Sequence, residues 1–384
     1  MRCLLLAEGN ARTFDSWSGI SQRVVSGLEK GGHTVVDVNC DLDGMTRYLA
    51  AALSWALARK RWWVRYHLGP RGFSLRSRRA AAAVKNYRDE VDYVLQFGAT
   101  FDPGDLQGLP LFLYCDGNAA LSTAGIDGGQ SEASFLSVEE IEDVKKRESC
   151  VYQKARRIFT FSDRLRRSFI SDFSLDTGAV TTIFAGANLD AESVSFDQAH
   201  RRMHFPTVLF VGRDFQRKGG DILLSAFARI RKNIPSAELL IVGCSPKVPG
   251  DSGITVFGNI DRDDPQGEAL IRSLFSRASI FCMPTRFEGL SISFLEAMCF
   301  SLPCLGASSE WSPAEMIVDG VTGFTVAVDD VGALTDRLMT LCLDPVLATA
   351  MGTAGRKRAL DSFTWDAVVS KMVQGIEGDL GHSQ

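Results

Sequence analysis

The feature that most constrains the fold of this 384-residue chain is its long series of short apolar runs, separated by helical segments. The runs lack strict polar alternation, which predicts strands covered on both faces and therefore parallel sheets joined by helical crossovers. The predicted strands of the first half are Cys3–Glu8, Thr34–Asn39, Tyr93–Phe97, Leu111–Cys115, Arg157–Phe161 and Val180–Phe184. Those of the second half are Thr207–Val211, Glu238–Val242, Ile254–Phe257, Ile280–Met283, Pro303–Leu305 and Phe324–Val328. Two such series predict an α/β protein with two doubly wound domains.

A polar stretch without helical or strand periodicity, Asn188–Pro206, separates the two series. We therefore predict a first domain over residues 1–195 and a second over 203–364. Residues 365–384 are predicted to hold a last helix, from Trp365 to about Ile376, that crosses back to the first domain. The length suits two domains of about 150–200 residues each.

Composition excludes several classes of protein. The 42 basic and 46 acidic residues give a net charge of −4, which creates no general attraction for nucleic acid. The nine cysteines contain no C-x-x-C pair, and their odd number without a framework is typical of a reducing compartment. The opening residues suit a first strand better than a signal peptide, and no apolar run approaches the roughly 20 residues of a membrane span. We predict a cytoplasmic protein.

A basic insert, residues 45–88, carries eleven Lys or Arg and no Asp or Glu. Tyr48, Trp55, Trp62 and Tyr66 fall near one stripe at helical spacing, with Arg59 between them. One interpretation is a peripheral contact with the inner membrane face, or a platform for an anionic acceptor such as a lipid-linked phosphate. The other is an amphipathic helix that packs its aromatic side chains on the sheet. Nucleic acid is disfavoured because no reading motif accompanies the charge.

Two cations lie between a predicted strand and the following helix. The strand Thr207–Val211 runs into Gly212-Arg213, and Lys218-Gly219 precedes a helix from Asp221. Cations at a helix N-terminus are unfavourable by a few tenths to about 1 kcal/mol unless an anion is present. Arg213 and Lys218 are therefore candidates to bind a diphosphate, although a solvated basic loop is the alternative. The segment has neither a Walker A motif nor a G-x-G-x-x-G fingerprint.

Two glutamates eight residues apart follow the strand Ile280–Met283. Glu288 lies in the loop, and Glu296 lies in the following helix. If that helix begins near Leu290 or Ser291, the amides of Gly289, Leu290 and Ser291 can donate to a phosphate or sugar oxygen. The two carboxylates suit vicinal hydroxyls of a ribose or a hexose. For Glu296 the alternative is a capping box with Ser293.

In combination, these motifs resemble the retaining GT-B glycosyltransferases of the glycosyltransferase 4 family (glycosyl transferases group 1). The resemblance rests on Gly-Arg-x4-Lys-Gly, on Glu-x7-Glu with Glu-Gly-Leu-Ser, and on the segment from Glu315 to Phe324. Weaker similarities are Ser18-Gly19-Ile20-Ser21 and Gly32-His33-Thr34-Val35 in the first half. The resemblance implies two Rossmann-like domains facing an interdomain cleft. The first domain would bind the acceptor, and the second would bind the donor.

The resemblance also implies roles for individual residues. Arg213 and Lys218 would hold the donor diphosphate, Glu288 and the neighbouring amides the sugar, and Glu296 the ribose. Asn259 and Ile260 would flank the base, and Gly19 would approach the phosphates from the first domain. Ser291 and Ser301 stand where the family usually has Gly, and Asp116 occupies the region where many members place an acceptor-side His. Asp116 is therefore our candidate for contact with sugar or acceptor.

The function that the resemblance implies is transfer of a hexose from a nucleoside-diphosphate sugar, UDP- or GDP-linked, to a hydroxyl acceptor. A glycan, a lipid-linked molecule or a small molecule could be the acceptor. The expected mechanism is a metal-independent front-face displacement that retains configuration and needs no cofactor. Asp41-Leu42-Asp43 has the D-x-D spacing of metal-dependent transferases but follows an early strand, so we assign it no metal. The alternatives are a silent nucleotide-sugar-binding protein, a GT-B epimerase or phosphorylase, and a membrane-recruited scaffold.

Overall fold

The structure of the chain is a computed structural model. It describes residues 1–14, 16–124, 131–189, 206–250, 252–308 and 315–381. The chain divides into two compact units. Unit 1 comprises Met1–Phe184 together with Val368–Gln384, and unit 2 comprises Ala185–Ala367. The predicted interval between the domains, 195–203, lies outside the described residues.

Unit 1 is built on a parallel sheet of six strands in the order β2-β1-β3-β4-β5-β6. The central strands β3 and β4 are buried along their whole length, which explains their continuous apolar sequences. The order changes direction between β1 and β3, so the loops that follow these two strands diverge at a topological switch point. The strands are β1 Arg2–Ala7, β2 Thr34–Asn39, β3 Tyr93–Phe97, β4 Leu111–Cys115, β5 Ala155–Thr160 and β6 Val180–Thr182.

The helices of unit 1 begin where the sequence supplies caps. Ser137 accepts from the amide of Glu140, and Glu140 reaches back to the amide of Ser137, which completes a capping box. Ser162 caps the next helix by accepting from the amide of Leu165. The helices are α1 Ile20–Lys30, α2 Gly44–Leu53, α3 Arg59–Leu68, α4 Pro70–Tyr87, α5 Ala119–Ala124, α6 Val138–Tyr152 and α7 Asp163–Asp172.

The last helix of the chain, α13 (Trp365–Gly381), contributes its residues from Val368 onward to unit 1. Val368, Met372 and Ile376 recur at helical spacing and are buried. Near its end, Asp379 accepts two hydrogen bonds from the guanidinium of Arg157, both at 2.7 Å. This bidentate pair fixes the helix to strand β5, which is next to the edge strand β6.

Unit 2 is also built on a six-stranded parallel sheet, in the order β12-β11-β10-β7-β8-β9. Counted from β7, this is the 3-2-1-4-5-6 order of the Rossmann fold, with the switch point between β7 and β10. The strands are β7 Thr207–Val211, β8 Glu238–Val242, β9 Ile254–Gly258, β10 Ile280–Met283, β11 Cys304–Ser308 and β12 Gly323–Ala327. The helices are α8 Gly220–Asn233, α9 Pro265–Arg277, α10 Ile292–Cys299, α11 Val331–Leu343 and α12 Pro345–Ser362, before the start of α13.

The predicted strands are all present, with ends displaced by up to three residues, and the two doubly wound sheets are confirmed. The prediction of one aromatic stripe in the insert is wrong. The chain breaks after α2 and again at Gly69-Pro70, so Tyr48 lies on α2, Trp55 between helices, and Trp62 and Tyr66 on α3. Proline suits the first position of a helix but not its interior, which accounts for the second break.

Candidate functional site

The switch point of unit 2 brings together the loops that follow β7 and β10. The two loops are joined by a backbone hydrogen bond from the amide of Arg286 to the carbonyl of Arg217, at 2.9 Å. The hydroxyl of Thr285 donates to the same carbonyl at 3.3 Å. The guanidinium of Arg286 also binds Asp221, at the start of α8, through two bonds of 2.8 Å. These contacts fix the geometry of a site made by residues distant in sequence.

Two glycines allow the loop after β7 to take its shape. A side chain at Gly212 would collide with the stem of Lys218, which therefore lies over the backbone of Gly212. Gly219 has a φ of 72°, and a side chain there would collide with the carbonyl oxygen of Pro284. Gly-Arg-x4-Lys-Gly thus encodes a close contact between the loops after β7 and β10.

At the centre of this arrangement, Lys218 pairs with Glu288. The ammonium Nζ lies 2.9 Å from Oε2 of Glu288, and Nη1 of Arg217 lies 3.2 Å from the same oxygen. The carboxylate is only 15% exposed. Burial raises the pKa of Glu288, but the charges of Lys218 and Arg217 outweigh burial, so its pKa lies below the ordinary value. Glu288 is therefore an ionised acceptor that is already oriented by two cations.

The helix α10 points its N-terminus at the same loop. Ser291 is its N-cap residue and is buried, whereas Gly289 is exposed and Leu290 is half-buried. The helix begins at Ile292, so Ser293 lies inside the first turn and the alternative capping box with Glu296 does not form. The first-turn amides of a helix have no intrahelical acceptor and favour an anion.

Glu296 lies on α10 and is buried in a network of charges. Its Oε1 accepts from Nη1 of Arg262 at 2.7 Å, and its side chain is 3% exposed. Arg262 also donates from Nε to Glu268 at 2.9 Å, and Glu268 in turn accepts from Arg272 at 3.2 Å. Glu296 is thus held by an arginine rather than by a helix cap.

The other predicted donor-side residues surround this network in different settings. Arg213 is exposed at the beginning of the loop after β7. Lys218, whose side chain is largely buried, lies near the end of the same loop. Asn259 is exposed and Ile260 is half-buried, directly after β9. Arg217 and Arg262 were not predicted, although the sequence places both among the loops after strands. No spacing rule singles them out, because their partners lie 71 and 34 residues away.

In unit 1, Gly19 and Asp116 lie in different loops. Gly19 is the N-cap of α1 and has a φ of 82°, a conformation that glycine adopts without strain. Asp116 is exposed directly after β4. Behind Asp116, the half-buried Glu148 accepts from the amide of Ala119 at 2.8 Å. Burial raises the pKa of Glu148 to about 7, against the opposing effects of Ala119, Tyr152 and Arg147 and with a further rise from Asp116.

A cluster that sequence reasoning missed lies at the switch point of unit 1. Arg76, which is fully buried, places Nε 2.9 Å from Glu8 and 3.5 Å from Asp41. Its Nη1 donates to the carbonyl of His67 at 2.9 Å. Arg79 donates to Asp43 and to the backbone of Asp41. Both carboxylates of the D-x-D motif are thus engaged by arginines.

The insert helices expose an unusual set of large apolar side chains. We define the exposed insert surface as Met45, Tyr48, Leu49, Leu53, Trp55, Leu57 and Trp63. Tyr48, Trp55 and Leu57 are 73%, 60% and 93% exposed. The exposed cations Arg47, Arg59, Lys60 and Arg61 lie on or beside the same helices. These exposures contradict the interpretation in which all the aromatic side chains pack on the sheet, although Trp62 donates to the carbonyl of Ala51 at 2.7 Å.

Comparisons with known proteins agree with this architecture. Residues 205–344 match the family model of glycosyl transferases group 1. The chain is 30% identical over 240 residues to the GDP-mannose-dependent alpha-(1-6)-phosphatidylinositol monomannoside mannosyltransferase of Mycolicibacterium smegmatis. That match covers 58% of this chain and 62% of the relative, and two relatives from Mycobacterium tuberculosis are matched over 48% of their length.

Solved structures share the fold over the whole chain. Sucrose-phosphate synthase from Thermosynechococcus elongatus superposes with a TM-score of 0.72 at 18% identity, covering 100% of both chains. WaaG, a glycosyltransferase involved in lipopolysaccharide biosynthesis, gives a TM-score of 0.67 at 14% identity, covering 97% of this chain and 99% of that one. The two Rossmann-like units therefore define a protein of the GT-B class.

Within that class, the second unit carries the match to the glycosyl transferases group 1, and the resemblance seen in the sequence is confirmed over residues 205–344. The chain spans about half to three fifths of the length of the curated mannosyltransferases that it matches. Within the described residues, no single helix has the length and apolar composition of a membrane span. Helix α11 and the helical segment Pro345–Gly381 together have that length and composition, but the chain bends by 101° between them.

Proposed function

We propose that the chain is a retaining glycosyltransferase that moves a hexose from a nucleoside-diphosphate sugar to a hydroxyl acceptor. The observation that carries the proposal is the Lys218–Glu288 pair at the switch point of unit 2. It joins a cation suited to phosphate with a carboxylate suited to sugar hydroxyls, at the edge of the sheet where α/β folds bind ligands. The family match of the same unit supports this choice over an unrelated nucleotide-binding protein.

Donor binding then follows from the chemistry of each group. The ammonium of Lys218 has three donors, and its bond to Glu288 uses one of them. Together with the exposed Arg213, it would neutralise the diphosphate, while the amides at Gly289, Leu290 and Ser291 would face the sugar or a phosphate oxygen. Asn259 and Ile260 would flank the base. GDP-mannose is the first donor to test because mannosyltransferases that use it are among the relatives, and UDP-glucose is the second.

The proposed mechanism is a front-face displacement. The acceptor hydroxyl attacks the anomeric carbon on the face from which the diphosphate leaves, and the departing phosphate oxygen takes the hydroxyl proton. Configuration is retained and no protein nucleophile is needed. Lys218 and Arg213 stabilise the negative charge that grows on the leaving group. Because these cations supply the positive charge, turnover should persist in a chelator; strict dependence on Mg²⁺ or Mn²⁺ would contradict this step.

The acceptor side is assigned to unit 1, with Asp116 as a contact for sugar or acceptor. A phosphatidylinositol mannoside is the acceptor class named for the first relative, and a lipid-linked acceptor would give the insert a purpose. We propose that the exposed insert surface makes a peripheral contact with an anionic membrane. Its tryptophans and leucines would enter the headgroup region, and each nearby cation would contribute about 1 kcal/mol at the surface.

The membrane contact can be tested by vesicle sedimentation. The full chain should bind vesicles of phosphatidylcholine with phosphatidylglycerol, bind pure phosphatidylcholine poorly, and lose binding in high salt. The double variant W55S/L57S should lose binding, whereas the matched control L343S/V346S changes two exposed apolar residues of unit 2 and should keep it. Equal binding by both variants, or none by the wild type, would remove the membrane contact from the proposal.

The donor site can be tested by calorimetry of the purified chain with GDP, UDP and ADP. We expect one nucleotide to bind and the double variant R213A/K218A to lose that binding. The control R229A/K232A removes the same charge from the far end of α8, where both side chains are exposed, and should bind normally. If no nucleotide binds the wild type, the transferase proposal fails and a protein without catalytic activity is the better description. Release of nucleotide without any acceptor would instead favour an epimerase, and a requirement for free phosphate would favour a phosphorylase.

A further inference from the structure

The loop after β9 contains an arginine with no role in the proposed function as stated so far. Arg262 follows the predicted base-flanking residues Asn259 and Ile260 by three and two positions. Its side chain is 12% exposed, and it donates inward from Nη1 to Glu296 at 2.7 Å and from Nε to Glu268 at 2.9 Å. An arginine in a loop that turns inward and binds two carboxylates is part of a defined structural network rather than a solvated charge.

The charges of this network show why Arg262 matters to Glu296. A carboxylate that is 3% exposed cannot remain ionised without a partner. Burial lowers the pKa of Arg262, but Glu296 and Glu268 outweigh burial, so its pKa lies above the ordinary value and it stays charged. Arg262 therefore provides the positive charge that compensates the buried Glu296.

Geometry adds a second effect. The guanidinium is planar, so its bond to Glu268 on α9 fixes the plane in which it meets Glu296 on α10. Oε1 of Glu296 is held at 2.7 Å, and the orientation of the whole carboxylate follows from that bond. A carboxylate accepts up to about four hydrogen bonds, so one bond from an arginine is compatible with bonds from two vicinal hydroxyls.

From these contacts we infer that Arg262 is a positioning residue for the ribose of the donor. It holds Glu296 ionised and oriented toward the vicinal 2′ and 3′ hydroxyls, and it ties that carboxylate to the loop that flanks the base. The inference rests on the proposed function, since it deepens the donor site of unit 2. It predicts that the preference for ribose over deoxyribose depends on a side chain that need not touch the nucleotide.

The test compares the affinities of GDP and 2′,3′-dideoxy-GDP, by calorimetry with the full chain. The wild type should prefer GDP by about tenfold or more, because hydrogen bonds to a charged carboxylate are worth about 1.5–3 kcal/mol each. In R262Q this preference should fall to within about threefold, as in E296Q, while dideoxy-GDP binds both variants nearly as it binds the wild type. The diphosphate contacts are unchanged, so only the response to the ribose hydroxyls moves.

Arg272 provides the matched control. It also pairs with Glu268, at 3.2 Å, but its side chain is 33% exposed against 12% for Arg262, which makes it the outer arginine of the network. R272Q should therefore keep the full preference for GDP. R262K keeps the positive charge but lacks the planar guanidinium, so its preference for GDP over dideoxy-GDP should be intermediate. It also provides a second test of the inference if R262Q does not fold.

The outcomes separate this inference from the proposed function. If the wild type binds GDP with the ribose preference and R262Q and R262K keep that preference, Arg262 has no positioning role and the inference is overturned while the donor site stands. A loss of preference in R272Q equal to that in R262Q would also overturn it. If the wild type binds UDP and not GDP, the same comparison is made with UDP and 2′,3′-dideoxy-UDP. Absence of all nucleotide binding rejects the proposed function, and the inference with it.

Discussion

Replacement of Glu148 by glutamine should remove a large pH dependence from the stability of the protein. Glu148 lies on α6, is half-buried, and accepts from the amide of Ala119 at 2.8 Å. Its pKa is raised from 4.5 to about 7, chiefly by burial. A shift of one unit corresponds to 1.36 kcal/mol, so the native state disfavours the ionised form by on the order of 3 kcal/mol.

The sign follows from proton linkage. Between pH 4.5 and 7 the native state binds more protons at Glu148 than the unfolded state does, so stability falls as the pH rises. The free-energy cost of ionising Glu148 in the native state is absent below pH 4.5 and complete above about pH 7. The charged and titratable groups that face Glu148 are Arg147, Asp116, Cys115 and Tyr152, and they remain in the variant.

The measurement is urea denaturation of the wild type and E148Q at several pH values from 4.5 to 8. The carbonyl oxygen of glutamine can still accept from Ala119, so the variant should gain stability relative to the wild type by on the order of 3 kcal/mol as the pH rises. E142Q changes an exposed glutamate of the same helix and should follow the wild type. Parallel curves for the wild type and E148Q, or a difference that shrinks as the pH rises, would refute the reasoning.

Two further predictions concern the loops at the switch points. R76L should destabilise the protein by about 3–5 kcal/mol in urea denaturation, because it leaves Glu8 partly buried without its cation; a loss below 1 kcal/mol would contradict this account. G219A should destabilise by about 1–3 kcal/mol and weaken nucleotide binding, because its φ of 72° and the contact with Pro284 exclude a side chain. G250A, at a position with open space, should leave both quantities unchanged.

Most of the fold was predictable because buried parallel strands leave a clear pattern. Runs such as Leu111–Cys115 are apolar at every position, and that pattern does not depend on distant residues. Rossmann strand order then places the loops after β7 and β10 at one point, which explains why Lys218 and Glu288 meet although 70 residues apart. The glycines at 212 and 219 could be recognised in sequence, but the close contacts that require them could not.

The charge networks could not be predicted, since they depend on side-chain directions. The sequence singled out Arg213 and Lys218, but it did not indicate that Lys218 pairs with Glu288 or that Arg217 joins that pair. Glu296 fitted a capping box by spacing, yet the helix begins at Ile292 and Arg262 binds the carboxylate instead. A spacing rule reports only neighbours along the chain, and these partners come from other loops.

The insert, residues 45–88, shows a different limit of prediction from sequence. Helical spacing of aromatic residues usually indicates a buried face, because large apolar side chains are seldom left in water. Here the chain breaks between α2 and α3, and Tyr48 and Trp55 are exposed. Periodicity cannot separate a face buried in the protein from a face available to a membrane. The absence of acidic residues from 45 to 88 was the signal that kept the membrane interpretation open.

The central claim is that the switch point of unit 2 activates a nucleoside-diphosphate sugar. The most direct measurement is release of nucleoside diphosphate from GDP-mannose or UDP-glucose by the full chain, with phosphatidylinositol-containing vesicles and soluble sugars offered as acceptors. We predict release that depends on an acceptor, is lost in R213A/K218A and persists in R229A/K232A. Release that is equal in the two double variants, or absent with every donor and acceptor, would contradict it.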